Sequence, residues 1–255
     1  MELAYVELFE FLETKYEQYN HPGFIETDPI SVPHRFSRKE DIEIAAFLTA
    51  TLSWGTRTSI VKDANRLLDL MDGSPYEFIL DFTKSGAERF VSFYHRTFNG
   101  KDCIFFLESL KNIYMHHHGL QHLFSPDEMK SLKGAIIRFR TIFLELQHLH
   151  RTEKHLSNPG KGASAKRILM FLRWMVRDDQ RGVDFGLWKN IPPASLLCPL
   201  DIHSGNVARK LGLLKRKTND WKAVEELTSN LRRFDPEDPV KYDFALFGLG
   251  VFERF

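Results

Sequence analysis

Cysteine is scarce in this chain: Cys103 and Cys198 are the only two among 255 residues. Two thiols exclude a disulfide framework, a four-thiolate zinc site and an iron–sulfur cluster held by four thiolates. Both cysteines read as small buried residues, in keeping with a reducing cytoplasm. Long apolar runs are missing as well. No stretch approaches the roughly 18 uncharged apolar residues of a membrane-spanning helix, so no membrane partner is expected. The opening MELAYVELFEFLETKYEQY has five glutamates before residue 20 and no basic stretch, unlike a secretory leader. Strict alternation of apolar and polar residues, the mark of half-buried strands, is absent, and no repeat is found. What remains is 43% hydrophobic and 27% charged, enough to build a packed core and too apolar for disorder.

A net charge of +1 looks bland until it is divided along the chain. Residues 1–45 hold ten acids against four bases, whereas residues 151–217 hold fourteen bases against five acids. Such segregation is the footprint that a polyanion-binding face leaves; a merely solvated basic surface is the alternative.

Helical signals dominate. Leu3, Val6, Phe9 and Leu12 form one stripe of an amphipathic helix over 2–19, and Pro22, Gly23, Pro29 and Pro33 break the chain over 20–36. Ser37-Arg38-Lys39-Glu40 reads as a capping box ahead of IEIAAFLTATLSW, which is apolar on nearly every face and belongs at the centre of a core. Gly55 ends that helix and Thr56 can cap the next, over 57–71. Further helices are predicted near 76–82, over 102–118 and over 126–150, the last opened by Ser125-Pro126-Asp127-Glu128. After the turn Pro159-Gly160-Lys161-Gly162 comes ILMFLRWMV, then helices over about 203–211, 220–233 (capped by Asp220) and 239–254 (capped by Asp238). The fold class is all-α. A two-lobed division is expected, with one lobe of residues 37–177 and the other combining 1–36 with 178–255.

Candidate chemistry gathers late in the chain. Lys166, Met170, Arg173 and Arg177 share one helical face, while Ile168, Phe171, Leu172 and Met175 fill another. The basic side chains can snorkel to solvent or line a binding surface. Lys166 falls in the first turn, where the helix dipole disfavours a cation, and a neutral amine is a nucleophile. Asp201, in Cys198-Pro199-Leu200-Asp201-Ile202-His203, stands where a helix begins. As a cap it needs no other purpose; on a cleft, the same carboxylate can stabilise a developing cation or take a proton from an amine. His116, His117, His118 and His122 form a poor metal set, because consecutive helical residues diverge and Gly119 interrupts them. No metal is expected.

Three segments carry a resemblance. Pro199-Leu200-Asp201-Ile202-His203 followed by Val207-Ala208-Arg209-Lys210-Leu211-Gly212-Leu213 resembles the segment of the helix-hairpin-helix DNA glycosylases, the endonuclease III superfamily, that bears their catalytic aspartate. Phe47 to Thr56 with Val61 and Ala64 looks like that superfamily's early helix-turn-helix, and Asn158-Pro159-Gly160-Lys161-Gly162 is similar to its LPGVG hairpin. The three occur in the superfamily's order over roughly residues 38–255. More closely, Lys166-Arg167 to Arg173-Trp174-Met175-Val176-Arg177, with the ending Asp238 to Gly248, looks like a bacterial domain family of unknown function. The offset of the superfamily's lysine from its hairpin lands on Ser164, with Lys166 two residues further on. The long interval from Lys166 to Asp201, which includes 178–198, is similar to that of archaeal 8-oxoguanine glycosylases.

The resemblance implies excision of a damaged base, an oxidised purine in the first instance, from double-stranded DNA by a monomer. Asp201 and Lys166 would be catalytic, the second giving abasic-site lyase activity through a Schiff base. Gly160, Lys161, Gly162, Ser164, Arg173, Arg177 and His203 would contact DNA, with a monovalent cation at the hairpin. An extruded base would be flanked by Trp54 and Trp174, and Phe93 or Tyr94 could also stack on it, although core packing accounts for each of these. The alternatives are a non-catalytic nucleic-acid-binding protein on the same fold, and an interaction protein whose basic segments are simply solvated.

Overall fold

Helix α1 (Tyr5–Tyr19) forms in the glutamate-rich opening, in a computed structural model that describes residues 5–125 and 131–255. It buries Leu8, Leu12, Tyr16 and Tyr19, while Val6 is exposed. Leu12 lies on the inward stripe as expected and half-buried Phe9 stacks on Phe234, but the stripe continues through the two tyrosine rings and leaves Val6 out, because large amphipathic rings bury more surface than valine does.

Proline-started 3₁₀ turns occupy 22–35 and lead to α2 (Lys39–Leu52), whose residues Ile42 to Leu52 are all buried. Phe47 on this helix packs against Phe106, Phe139 and Phe143, the centre of an aromatic core. The expected capping box at Ser37 does not form: Arg38 is the N-cap residue and makes no side-chain cap bond. The first-turn carboxylate of Asp41 instead accepts the Tyr76 N–H at 2.8 Å, in the first turn of α4 (Pro75–Leu80). Between them lies α3 (Arg57–Asp69), capped by Thr56 as expected. After α5 (Lys84–Ala87) comes a two-residue hairpin, β1 (Tyr94–His95) and β2 (Phe98–Asn99), too short for an alternating pattern to announce it. Asn99 and Asp102 then form a reciprocal capping box on α6 (Gly100–His116). Gly100 is required there, since a Cβ would lie 2.3 Å from the Val91 carbonyl oxygen. The next elements are α7 (Leu120–Leu123) and α8 (Leu132–Phe143). The capping box expected at Ser125 to Glu128 lies largely outside the described residues, and Ser131 caps α8.

Four helices follow the hairpin turn: α9 (Lys166–Val176), α10 (Ile202–Lys210), α11 (Trp221–Leu231) and α12 (Tyr242–Val251). Asp201 and Asp220 cap α10 and α11. Asp238 caps nothing, because its carboxylate is drawn to Arg177 at 2.7 Å. Helix α1 packs on α12 so closely that a Cβ at Gly248 would fall 2.1 Å from Tyr19 Cδ2.

The chain is all-α, and its contacts divide it into two compact units, residues 25–157 and the N-terminal segment through Phe24 together with 158–255. The division falls at 157/158, not at 177/178. The physical reason is α9: the Phe185 and Trp188 N–H groups bond the Trp174 and Met175 carbonyls, and the helix's arginines bind Asp184, Asp238 and Asp243. Among the described residues, no helix is long and apolar enough to cross a membrane.

Candidate active site

Two helix starts that are far apart in sequence bring Lys166 and Asp201 together. Helix α9 begins after Ala165, which is in the left-handed region at φ 54° and offers no side-chain cap. Its first-turn amine is therefore unfavourably placed with respect to the helix dipole, and a carboxylate nearby offsets this. Asp201 supplies it, with Lys166 Nζ 3.4 Å from Asp201 Oδ2. The other carboxylate oxygen accepts the Ser204 N–H at 3.0 Å, while Ser204 Oγ accepts the Asp201 N–H at 3.0 Å. Burial pushes the Asp201 carboxyl up, but Lys166, the Ser204 N–H and His203 outweigh it and hold the group below the ordinary carboxylate range. The two side chains are 27% and 26% exposed, so the pair is reachable from solvent yet partly desolvated. Such a pair can pass a proton from ammonium to carboxylate and leave a nucleophilic amine beside a carboxylic acid that can donate the proton onward.

A second carboxylate stands behind the first. Asp243 on α12 is buried and bonded to Arg173 Nη1. Burial pushes it up to about 6, with Arg173 and Lys166 pulling the other way and Asp201 adding to the rise. Its only sequence signal was a lone carboxylate in the apolar run YDFALFGLGV.

Arg173 and Arg177 require a correction. They are 4% and 1% exposed, so neither is available to a phosphate. Arg173 reaches Asp184 at 3.2 Å and Asp243, and lies over the Phe244 ring. Arg177 binds Asp179, Asp184 and Asp238 at 2.8, 3.0 and 2.7 Å and the Tyr16 hydroxyl at 2.9 Å. Burial works against the Arg177 charge, and Asp184 and Asp238 more than restore it. Trp174 is also withdrawn from any base pocket, being wholly buried. Trp54 is half-buried and stacks on His155 with ring centroids 5.4 Å apart; Phe93 is buried and Tyr94 exposed.

The turn at 158–162 is exposed at Gly160, Lys161 and Gly162. Its amides, however, are spent internally. Asn158 Oδ1 accepts from Gly160, the Asn158 carbonyl from Lys161 and Ala163, and the Pro159 carbonyl from Gly162. A phosphate there meets the Lys161 side chain and not a nest of free N–H groups. The same bonds use the Asn158 and Pro159 carbonyls, and the Gly162 carbonyl accepts from Trp221. Gly162 takes φ 88°, which glycine adopts without strain. Ser164 is half-buried, and His203 is exposed in the first turn of α10, two residues from Asp201.

These features define an all-α protein with a lysine–aspartate pair at two helix starts. The chain belongs to the family described as "Protein of unknown function (DUF2400)", whose model matches residues 28–252. No curated protein and no solved structure matches it.

Proposed function

We propose that this protein is a DNA glycosylase of the helix-hairpin-helix kind that releases a damaged base, an oxidised purine in the first instance, and cuts the resulting abasic site. The observation that carries this reading is the 3.4 Å approach of Lys166 to Asp201 across 35 residues of sequence, on helices that begin at the same place. The resemblance of the Asp201 segment and of the 158–162 turn to that superfamily supports it independently.

The chemistry follows from the pair. Lys166 gives a proton to Asp201, and its lone pair attacks C1′ of the deoxyribose as the C1′–base bond breaks and the bonding electrons leave on the base. The base takes up a proton, for which protonated Asp201 is the nearest donor. As the sugar ring opens, O4′ takes a proton from the new amine and a Schiff base forms. Once it has given its proton to the base, Asp201 is again a carboxylate, as its lowered pKa favours at neutral pH, and stabilises the cationic Schiff base. It then takes a C2′ proton, and the electrons of that C–H bond form the C2′–C3′ double bond as the 3′ phosphate leaves with the C3′–O bonding pair.

Borohydride during turnover on a panel of lesion-bearing duplexes tests this. The native protein and Ser164→Ala are expected to yield a trapped covalent adduct, and Lys166→Gln none. Excision without any adduct would leave Asp201 acting alone in a monofunctional enzyme. A second reading, a binding protein without chemistry, draws on the full engagement of Asp201 as helix cap and ion-pair partner; base release from none of the panel would favour it.

A further inference from the structure

With Arg173 and Arg177 buried and the turn amides spent, DNA phosphates need other partners. The loop between α10 and α11 supplies them. Lys215, Arg216, Lys217 and Thr218 are exposed. Arg216 is neutralised by Asp220 at 2.6 Å, whereas Lys161, Lys215 and Lys217 have no ion-pair partner among the described residues.

The loop is rigidly placed. Asn219 Nδ2 donates to the Asp201 carbonyl at 2.8 Å, the Trp221 N–H donates to the Gly162 carbonyl at 2.9 Å, and Ala163 forms a bridge with Asp220. Arg209 braces it from inside through the Arg216 carbonyl and Asn219 Oδ1, and Glu226 accepts the Lys215 N–H at 2.6 Å. One loop is thus tied at one residue to the backbone of Asp201 and two residues later to the turn. Lys217 stands two residues from the first tether and four from the second, within about 15 Å of chain from either.

We propose that Lys215 and Lys217, together with Lys161, are the docking surface for the phosphates of duplex DNA, an inference that rests on the glycosylase reading. Lysines act on phosphate as point charges and need no bidentate geometry. The run Lys215 to Thr218 has no apolar side chain, as a membrane-inserting loop would need, and no aromatic on which an unpaired base could stack. Lys161 on the turn and Lys215 and Lys217 on the loop tethered to that turn and to the Asp201 backbone hold a DNA backbone beside the site without reading its sequence.

The experiment measures binding of a short, undamaged fluorescent duplex by the whole protein over a salt series. Each lost phosphate contact lowers the slope of log affinity against log salt by about 0.9. For Lys215→Ala/Lys217→Ala a drop of about two is expected, equal for unrelated duplex sequences, with an unchanged melting temperature. Lys189→Gln, which removes an exposed lysine already paired with Asp178, is expected to leave the slope alone. An unchanged slope in the double variant, where the native protein binds with salt dependence, overturns this surface and leaves the glycosylase reading standing. Absence of salt-dependent duplex binding in the native protein overturns both. Binding to phosphatidylserine vesicles in place of duplex likewise overturns both.

Discussion

Asp201 carries two loads that a single substitution separates. Asparagine caps a helix about as well as aspartate, and a partly exposed ion pair contributes under about 1 kcal/mol. Asp201→Asn is therefore expected to change unfolding free energy by less than about 1 kcal/mol while abolishing base release; large destabilisation with intact excision would make the residue purely structural. The two neighbouring carboxylates have opposite signatures in pH. Asp201 is held low, so its contribution is present above the ordinary carboxylate range and is lost as pH falls through its folded value. Asp243 is pushed up to about 6, so the folded protein holds a proton there that the unfolded chain has released. Its contribution declines as pH rises from the ordinary carboxylate range to about 6, and denaturant titrations of Asp243→Asn are expected to show a flatter decline across that window. Asp201 was legible in sequence because a cap needs only its own helix. Asp243 was not, because what defines it is Arg173, 70 residues away.

At the scale of elements, α9 shows where periodicity stops informing. The stripe Lys166, Met170, Arg173 and Arg177 is real, but spacing alone does not say whether a basic stripe meets solvent or acids. Here its far end meets Asp179, Asp184, Asp238 and Asp243, all brought from outside the helix. Removing one partner of a buried ion network leaves uncompensated charge and costs about 3–5 kcal/mol. Arg177→Ala is expected to lower unfolding free energy by about that amount, and Arg177→Lys to recover only part, since an ammonium cannot reproduce the guanidinium fork. A change confined to DNA affinity, with stability untouched, would return Arg177 to the surface. Thr56→Ala, at a cap that the sequence did announce, is expected to cost only about 1 kcal/mol.

For the molecule as a whole, the charge segregation acquires a second meaning. Residues 1–24, with half of the ten acids, and most of the basic segment belong to the same unit, where Glu17 pairs with Arg181 at 2.6 Å. Part of the apparent polyanion footprint is thus internal neutralisation, and only the lysines left over are available to the proposed DNA surface. The 157/158 division escaped sequence reading for the same reason: α1 and α12 lie more than 220 residues apart, and nothing local to either announces their partnership. The family match begins at residue 28, beyond α1, yet α1 buries four side chains and offers Tyr16 to Arg177. At about 1.5–3 kcal/mol per buried large side chain, losing it costs several kcal/mol, comparable with the whole stability of a domain. Deletion of residues 1–20 is therefore expected to speed amide exchange in α10 and α12 while α2 and α6 keep their protection, although α2 is far nearer in sequence. Equal loss of protection in α2 would show that the helix supports the other unit instead. Preserved protection in α12 would make α1 an appendage that the site does not need.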